Sequence, residues 1–357
     1  MPIRVLVVDD SAFMRKAISM MLEEEGTIEV VGTARDGIEA IEKAKELKPD
    51  LITLDVEMPR MDGITALKEI MKDNPLPVLM VSSLTMEGAR ATVDALAAGA
   101  VDFVPKQLSY VSMDITKIKE DLLSKIKAIT RNKPRISTSP PSNKIVPSKR
   151  SSSLGHPNAQ LVVLGISTGG PFSLQKVIPS LSEDFPLPIA IVQHMPPLFT
   201  KSLAERLDSI SRLEVCEAQD GMDLTNGKVF IAPGGLHLKF SRDNGRVLIV
   251  TTKSPTDSLH RPSVDVMFTS AYEVFGGKIL AVVMTGMGKD GLEGAKLIKS
   301  AGGKILAQSE ETCVVYGMPK AIVDAKIADA VVPLEEMASV ISSTISSVTV
   351  PNGTSPE

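Results

Sequence analysis

The chain has 357 residues, 43% of them hydrophobic, enough apolar material for two cores, and its 39 basic and 43 acidic residues leave a net charge of −4. That near balance argues against a general nucleic-acid or membrane-surface binder. The two cysteines, Cys216 and Cys313, are too few for a disulfide framework or a thiolate metal site and fit a reducing compartment.

In chain order, Ile3 to Val8 is an apolar strand that ends directly in Asp9 and Asp10, and Leu51 to Leu54 ends directly in Asp55. Two further runs, Val78 to Val81 and Val101 to Val104, lead into Ser82-Ser83 and Pro105-Lys106. Helical stretches at Ala12 to Glu24, Gly37 to Leu47, Ile64 to Lys72 and Gly88 to Ala98 separate them, an alternation that predicts a parallel α/β sandwich. The strand ends of such a sheet share one crevice. Three carboxylates gathered there repel one another unless a cation intervenes, and oxygen ligands of this kind suit Mg²⁺. A lysine and a hydroxyl at the same edge complete what an aspartyl-phosphate intermediate needs. Taken singly, each of these residues is also a common helix cap or surface charge. Asp9 and Asp10 arrive too early for a signal peptide and no apolar run spans a bilayer, so a cytoplasmic protein without membrane insertion is expected.

The motifs Val7-Val8-Asp9-Asp10-Ser11, Leu54 through Gly63 and Phe103-Val104-Pro105-Lys106 resemble the receiver domain of two-component response regulators over about residues 1–122. The resemblance implies a flavodoxin-like, five-stranded parallel sheet. It implies that a histidine kinase phosphorylates Asp55, with Asp9, Asp10, Asp55 and the Glu57 main-chain carbonyl around Mg²⁺ and Lys106 pairing with the phosphoryl group. Ser82 falls at the switch hydroxyl, and Phe103 at the aromatic position that reorients on activation.

Ile118 to Ile129 reads as an amphipathic helix, and residues 123–158 as its end plus a basic, Pro/Ser-rich linker. No acidic residue occurs between Asp121 and Glu183, and no aromatic lies between Tyr110 and Phe172 to stack on bases. A tether is therefore expected, and no DNA contact.

From Leu161 the pattern is again α/β. Strands are predicted at Ile189 to Gln193, Val229 to Ala232, Lys278 to Thr285 and Lys304 to Gln308, with an antiparallel hairpin turning at Asp243-Asn244-Gly245. Leu161 to Leu164 is a buried-strand run that breaks into Gly165-Ile166-Ser167-Thr168-Gly169-Gly170, a G-x-S-x-G frame. Such a turn can expose a nucleophile, bind a phosphate, or merely turn. His194 follows the strand ending at Gln193, and Asp290 follows a strand through Thr285-Gly286-Met287-Gly288-Lys289, so both fall at the sheet edge of Ser167. Either could equally be a turn residue or a helix cap. His237 and His260 sit in less defined loops, and His156 in the linker. The order Ser, His, Asp differs from that of lipase-type hydrolases.

Gly165 through Gly170, Gln193 through Pro197, His260 through Asp265 and Thr285 through Gly291 resemble the catalytic domain of chemotaxis response regulator protein-glutamate methylesterases over about residues 159–346. The resemblance implies a doubly wound, mostly parallel catalytic domain, drawn here as 159–350 with a flexible tail at 351–357. It makes Ser167 the nucleophile, His194 the general base and Asp290 the orienting acid, with the Met287 N–H at the oxyanion position and Thr168 assisting. It further implies demethylation of chemoreceptor glutamate esters, often with glutamine deamidation, and recruitment to receptor clusters. The unphosphorylated receiver is expected to cover the cleft, and Mg²⁺ to serve the receiver alone. The rivals are a DNA- or nucleotide-binding output domain and a small-molecule carboxylesterase.

Overall fold

Strands of five or six aliphatic residues, buried on both faces, alternate with helices that bury only one face, and chains of that kind close into parallel sheets covered on both sides. The computed structural model describes residues 1–106, 114–132 and 155–346. The Pro/Ser-rich stretch of the expected linker, 133–154, and the tail at 351–357 lie outside the described residues.

The first sheet consists of β1 (Ile3–Val8), β2 (Ile28–Ala34), β3 (Leu51–Asp55), β4 (Val78–Ser83) and β5 (Asp102–Lys106) in the order β2-β1-β3-β4-β5, all parallel. This is the five-stranded architecture expected. The edge strand β2 was not among the apolar runs singled out above, because Glu29 and Thr33 face solvent and Gly32 interrupts it. A helix at Asp114–Asn132 closes the domain. Its Leu122, Leu123, Ile126 and Ile129 pack into the core beside β1 and β5.

The second domain contains β6 (Leu161–Ile166), β7 (Ile189–Gln193), β8 (Glu214–Glu217) and β9 (Lys228–Ile231). An antiparallel hairpin follows, β10 (His237–Asp243) and β11 (Arg246–Thr252), and then β12 (Ile279–Val283), β13 (Lys304–Gln308) and β14 (Ala330–Val332). The hairpin turns at Asn244 and Gly245, both at positive φ as a two-residue turn of this hand requires. The seven-stranded sheet runs β14-β13-β12-β6-β7-β9-β8 and is parallel throughout. Strand order reverses direction at β6, which is flanked by β12 and β7. The carboxyl ends of these three adjacent strands therefore open on the crevice where doubly wound sheets bind ligands. His156, placed in the linker above, is attached to this domain: its ring nitrogen lies 2.9 Å from the Gly277 carbonyl.

The two domains touch through the face that carries the receiver's β4–β5 edge. The helix Met86–Ala97 packs against the helices Gly170–Val177 and Phe199–Ile210 of the second domain. Phe103 of β5 stacks on Phe199, with centroids 4.5 Å apart and planes 10° from parallel, and Arg90 pairs with Glu205 at 3.4 Å. Val314 packs against the receiver core and also abuts Gly169, the residue that follows Ser167-Thr168.

Candidate active site

Ser167 occupies the first position after β6, where the chain turns sharply into the helix Gly170–Val177. The turn needs Gly169 at φ +76, and Gly165 is required because a Cβ there would come within 2.3 Å of Val264 Cγ1. The Ser167 amide donates to the Thr285 carbonyl at 2.9 Å, and Gln193 Nε2 donates to the Ser167 carbonyl at 3.0 Å. The turn is thus tied to both neighbouring strands.

His194 follows β7, its amide donating to the Ile166 carbonyl, and its ring links Ser167 to Asp290. Nδ1 lies 3.2 Å from Ser167 Oγ, and Nε2 lies 2.8 Å from Asp290 Oδ2. An ionised carboxylate only accepts, so Nε2 must carry the hydrogen, which leaves the Nδ1 lone pair facing the serine hydroxyl. That is the tautomer a general base needs.

Asp290 is held at the N-terminus of the helix Val264–Phe275. Oδ2 also accepts from the Val264 amide at 2.8 Å, while Oδ1 accepts from the Asp265 amide at 2.9 Å and from Ser263 Oγ at 3.0 Å. Burial works to raise this carboxyl, but the His194 hydrogen bond and charge and the two helix amides outweigh it and hold it far below the usual carboxylate range. A helix N-terminus is a ready anion site, which explains how a nearly buried carboxylate stays charged.

Met287, in the 285–291 turn, is half-buried. Its neighbour Gly286 passes so close to Ser167 that a Cβ there would lie 2.8 Å from Ser167 Cβ. Thr168 is buried, and its carbonyl accepts from Thr285 Oγ1 at 2.9 Å. Two groups beside the triad were not assigned a role from sequence. His260 stacks on the His194 ring, and Ser263 caps its helix while donating to Asp290. Both belong to the His260 through Asp265 motif noted above, the only local signal that could have found them. His237 is wholly buried, its Nδ1 accepting from the Ser263 amide at 3.2 Å, so it supports this network rather than facing Ser167.

At the receiver crevice, carboxylate oxygens of Asp9, Asp10 and Asp55 lie within 4.8 Å of one another. Lys106 Nζ sits 2.8 Å from Asp9 Oδ2 and 2.7 Å from Asp55 Oδ2. Burial pushes the Asp55 carboxyl up to about 6, with Asp9 repulsion adding to it and Lys106 pulling it down. A carboxyl that costly to ionise, among hard oxygen donors, fits a divalent cation. The Glu57 amide reaches Asp55 Oδ1 at 3.4 Å. Ser82 Oγ is turned to the Gly88 carbonyl at 3.1 Å, and Phe103 points out of the domain onto Phe199.

A receiver-type sheet joined to a hydrolase-type α/β sheet is the architecture of a response regulator with an enzymatic output domain. The family model described as CheB methylesterase matches residues 162–341, and that of the response regulator receiver domain matches residues 5–115. The chain belongs to the CheB methylesterase family. A protein of Oleidesulfovibrio alaskensis named protein-glutamate methylesterase/protein-glutamine glutaminase 1 is 49% identical over 95% of this chain and 98% of its own length. A Thermotoga maritima protein named protein-glutamate methylesterase/protein-glutamine glutaminase is 48% identical over 93% of this chain and 95% of its own. The solved CheB methylesterase catalytic domain of Thermotoga maritima is 49% identical, with a TM-score of 0.50, over 51% of this chain and 96% of that one.

Proposed function

We propose that the chain is a phosphorylation-controlled protein-glutamate methylesterase, and a protein-glutamine glutaminase by the same route, acting on bacterial chemoreceptors. The observation that carries this is the line from Ser167 Oγ through His194 to Asp290, at 3.2 and 2.8 Å. Ser167 Oγ attacks the γ-ester carbonyl as His194 Nδ1 takes its proton, giving a tetrahedral oxyanion at the Met287 N–H, with Thr168 beside it. His194 returns the proton to the departing methanol and leaves a γ-glutamyl ester on Ser167. Water then attacks that ester, again losing a proton to His194, and Ser167 leaves with it as glutamate is released. With a glutamine substrate, ammonia departs in place of methanol. A serine hydroxyl in reach of an imidazole that is itself bonded to a carboxylate favours a nucleophile over a phosphate-binding turn, where the carboxylate would repel the phosphate, and so disfavours the nucleotide-binding rival.

Asp55 is the phosphoacceptor for a histidine kinase. Mg²⁺ held by Asp9, Asp10, Asp55 and the Glu57 carbonyl would neutralise charge on the transferring phosphoryl group. Lys106 binds that group, and Ser82 and Phe103 relay its presence. The helix Met86–Ala97, which follows Ser82, and Phe103 itself lie against the helices that follow Ser167 and His194, so undocking the receiver uncovers the crevice. Among the described residues no helix is long and apolar enough to cross a membrane. The protein acts in the cytoplasm and is recruited to receptor clusters.

The test is methanol release from methylated receptor membranes, with and without a small phosphodonor plus Mg²⁺. Release should rise with phosphodonor, and Asp55→Asn should abolish that response. A response retained in Asp55→Asn would remove Asp55 from the scheme, and turnover of small esters alone would favour the carboxylesterase rival.

Docking itself is open to a second measurement. Arg90→Glu sets a carboxylate against Glu205 and should raise unstimulated release about two- to fivefold, the range of an exposed pair worth up to about 1 kcal/mol. Adding Glu205→Arg should reverse the rise, and high salt should shrink both effects. Unchanged release in Arg90→Glu counts against control by docking.

A further inference from the structure

His260 lies in the loop before the helix Val264–Phe275, and its ring stacks on His194 with centroids 4.1 Å apart and planes 19° from parallel. Two stacked neutral rings gain a modest attraction from such a contact. The contact gains further when one of the two rings is a cation, because the face of the other then presents negative charge to it. In the reaction His194 becomes a cation when it takes the proton of Ser167 or of water. We propose that His260 is a positioning residue whose ring face supports the protonated form of His194, so that its contact strengthens as the transition state forms. The inference rests on His194 being the general base.

His260 suits this task because it stays uncharged. Burial above all, with repulsion from His194 whenever that ring is protonated, pushes its pKa down to about 4, against the pull of Asp290 and of Asp121 from the receiver helix Asp114–Asn132. A neutral ring here opposes no charge on His194 and lies over the face of the imidazole whose edges bond Ser167 and Asp290. Interactions stronger in the transition state than in the ground state raise kcat rather than lowering KM.

The experiment compares His260→Phe, His260→Leu and His260→Ala in the full chain, with Ser167→Ala as control, measuring methanol release from methylated receptor membranes after phosphodonor and Mg²⁺. His260→Phe keeps the ring face and should retain kcat within about threefold. His260→Leu fills the space without that face and should lose kcat about tenfold, with KM within about twofold, as should His260→Ala. Parental kcat in His260→Leu, a loss in His260→Phe equal to that in His260→Leu, or a change confined to KM would each overturn the proposal. If His260→Ala does not fold, the Phe and Leu pair decides alone. Activity surviving in Ser167→Ala would instead overturn the underlying assignment, so the two failures are distinguishable.

Discussion

Ser167→Ala should reduce methanol release from methylated receptor by about 10⁶-fold, the loss seen when a triad nucleophile is removed and its partners are left with nothing to activate. The substitution is mild for the fold. Alanine keeps the Cβ that fits beside Gly286, and the turn is held by bonds to the Ser167 main chain, from its amide to the Thr285 carbonyl and from Gln193 Nε2 to its carbonyl. What disappears is the contact of Oγ with His194 Nδ1 at 3.2 Å. That is one hydrogen bond in a half-buried site, worth about 1 kcal/mol, so the thermal transition should move by only a few degrees. Equal melting curves with release near the uncatalysed rate would assign the loss to chemistry. Release at the parent's rate would remove Ser167 from the reaction.

The reason this serine could be found without a structure is local. An uninterrupted aliphatic run followed by glycines on both sides of a serine has few physical meanings, and the run Leu161 to Leu164 is indeed buried between β12 and β7. His194 and Asp290 were legible for a related reason, since His194 directly follows a strand whose every residue is buried and Asp290 ends the glycine-rich loop that leaves another such strand. Edge strands lack that signal. β8 and β14 are four and three residues long, and β2 is broken by exposed Glu29 and Thr33, so none forms a long apolar run. Contacts that the fold makes between distant segments were also illegible. The pairing of His260 with His194 depends on how the loop after the hairpin crosses the crevice, and the stacking of Phe103 on Phe199 depends on how two domains dock. The ring orientation of His194, with Nδ1 toward the serine, is set by the carboxylate on its far side and has no trace in the sequence.

Asp290→Asn should lower kcat by about 10⁴-fold while leaving the backbone of the site in place, the loss expected when a catalytic imidazole is held in the wrong tautomer. The carboxylate accepts from four donors, His194 Nε2 and the Val264 amide on Oδ2, and Ser263 Oγ and the Asp265 amide on Oδ1. An asparagine offers one accepting oxygen and one NH₂. If the oxygen serves Ser263 and Asp265, the NH₂ faces Val264 N–H and His194, which must then accept at Nε2 and carry its hydrogen on Nδ1, where it cannot take the proton of Ser167. If the amide is reversed, His194 is correct but the NH₂ confronts the Asp265 N–H, leaving a buried donor unsatisfied at a cost of about 1–3 kcal/mol. The sign of the pH dependence follows from the depressed carboxyl. A group with a lowered folded pKa stabilises the native state above its unfolded value, about 3.9, and that contribution disappears as pH falls through the folded value. The stability deficit of Asp290→Asn should therefore be widest above about pH 4 and narrow as the solution is acidified below it, where the carboxyl of the unfolded parent chain takes up a proton while the native one is still ionised. Denaturant titrations of parent and variant at several pH values measure this directly. A deficit that stayed constant through the acid range would mean that Asp290 is not held as a carboxylate by the helix amides and His194, and the tautomer mechanism would lose its basis.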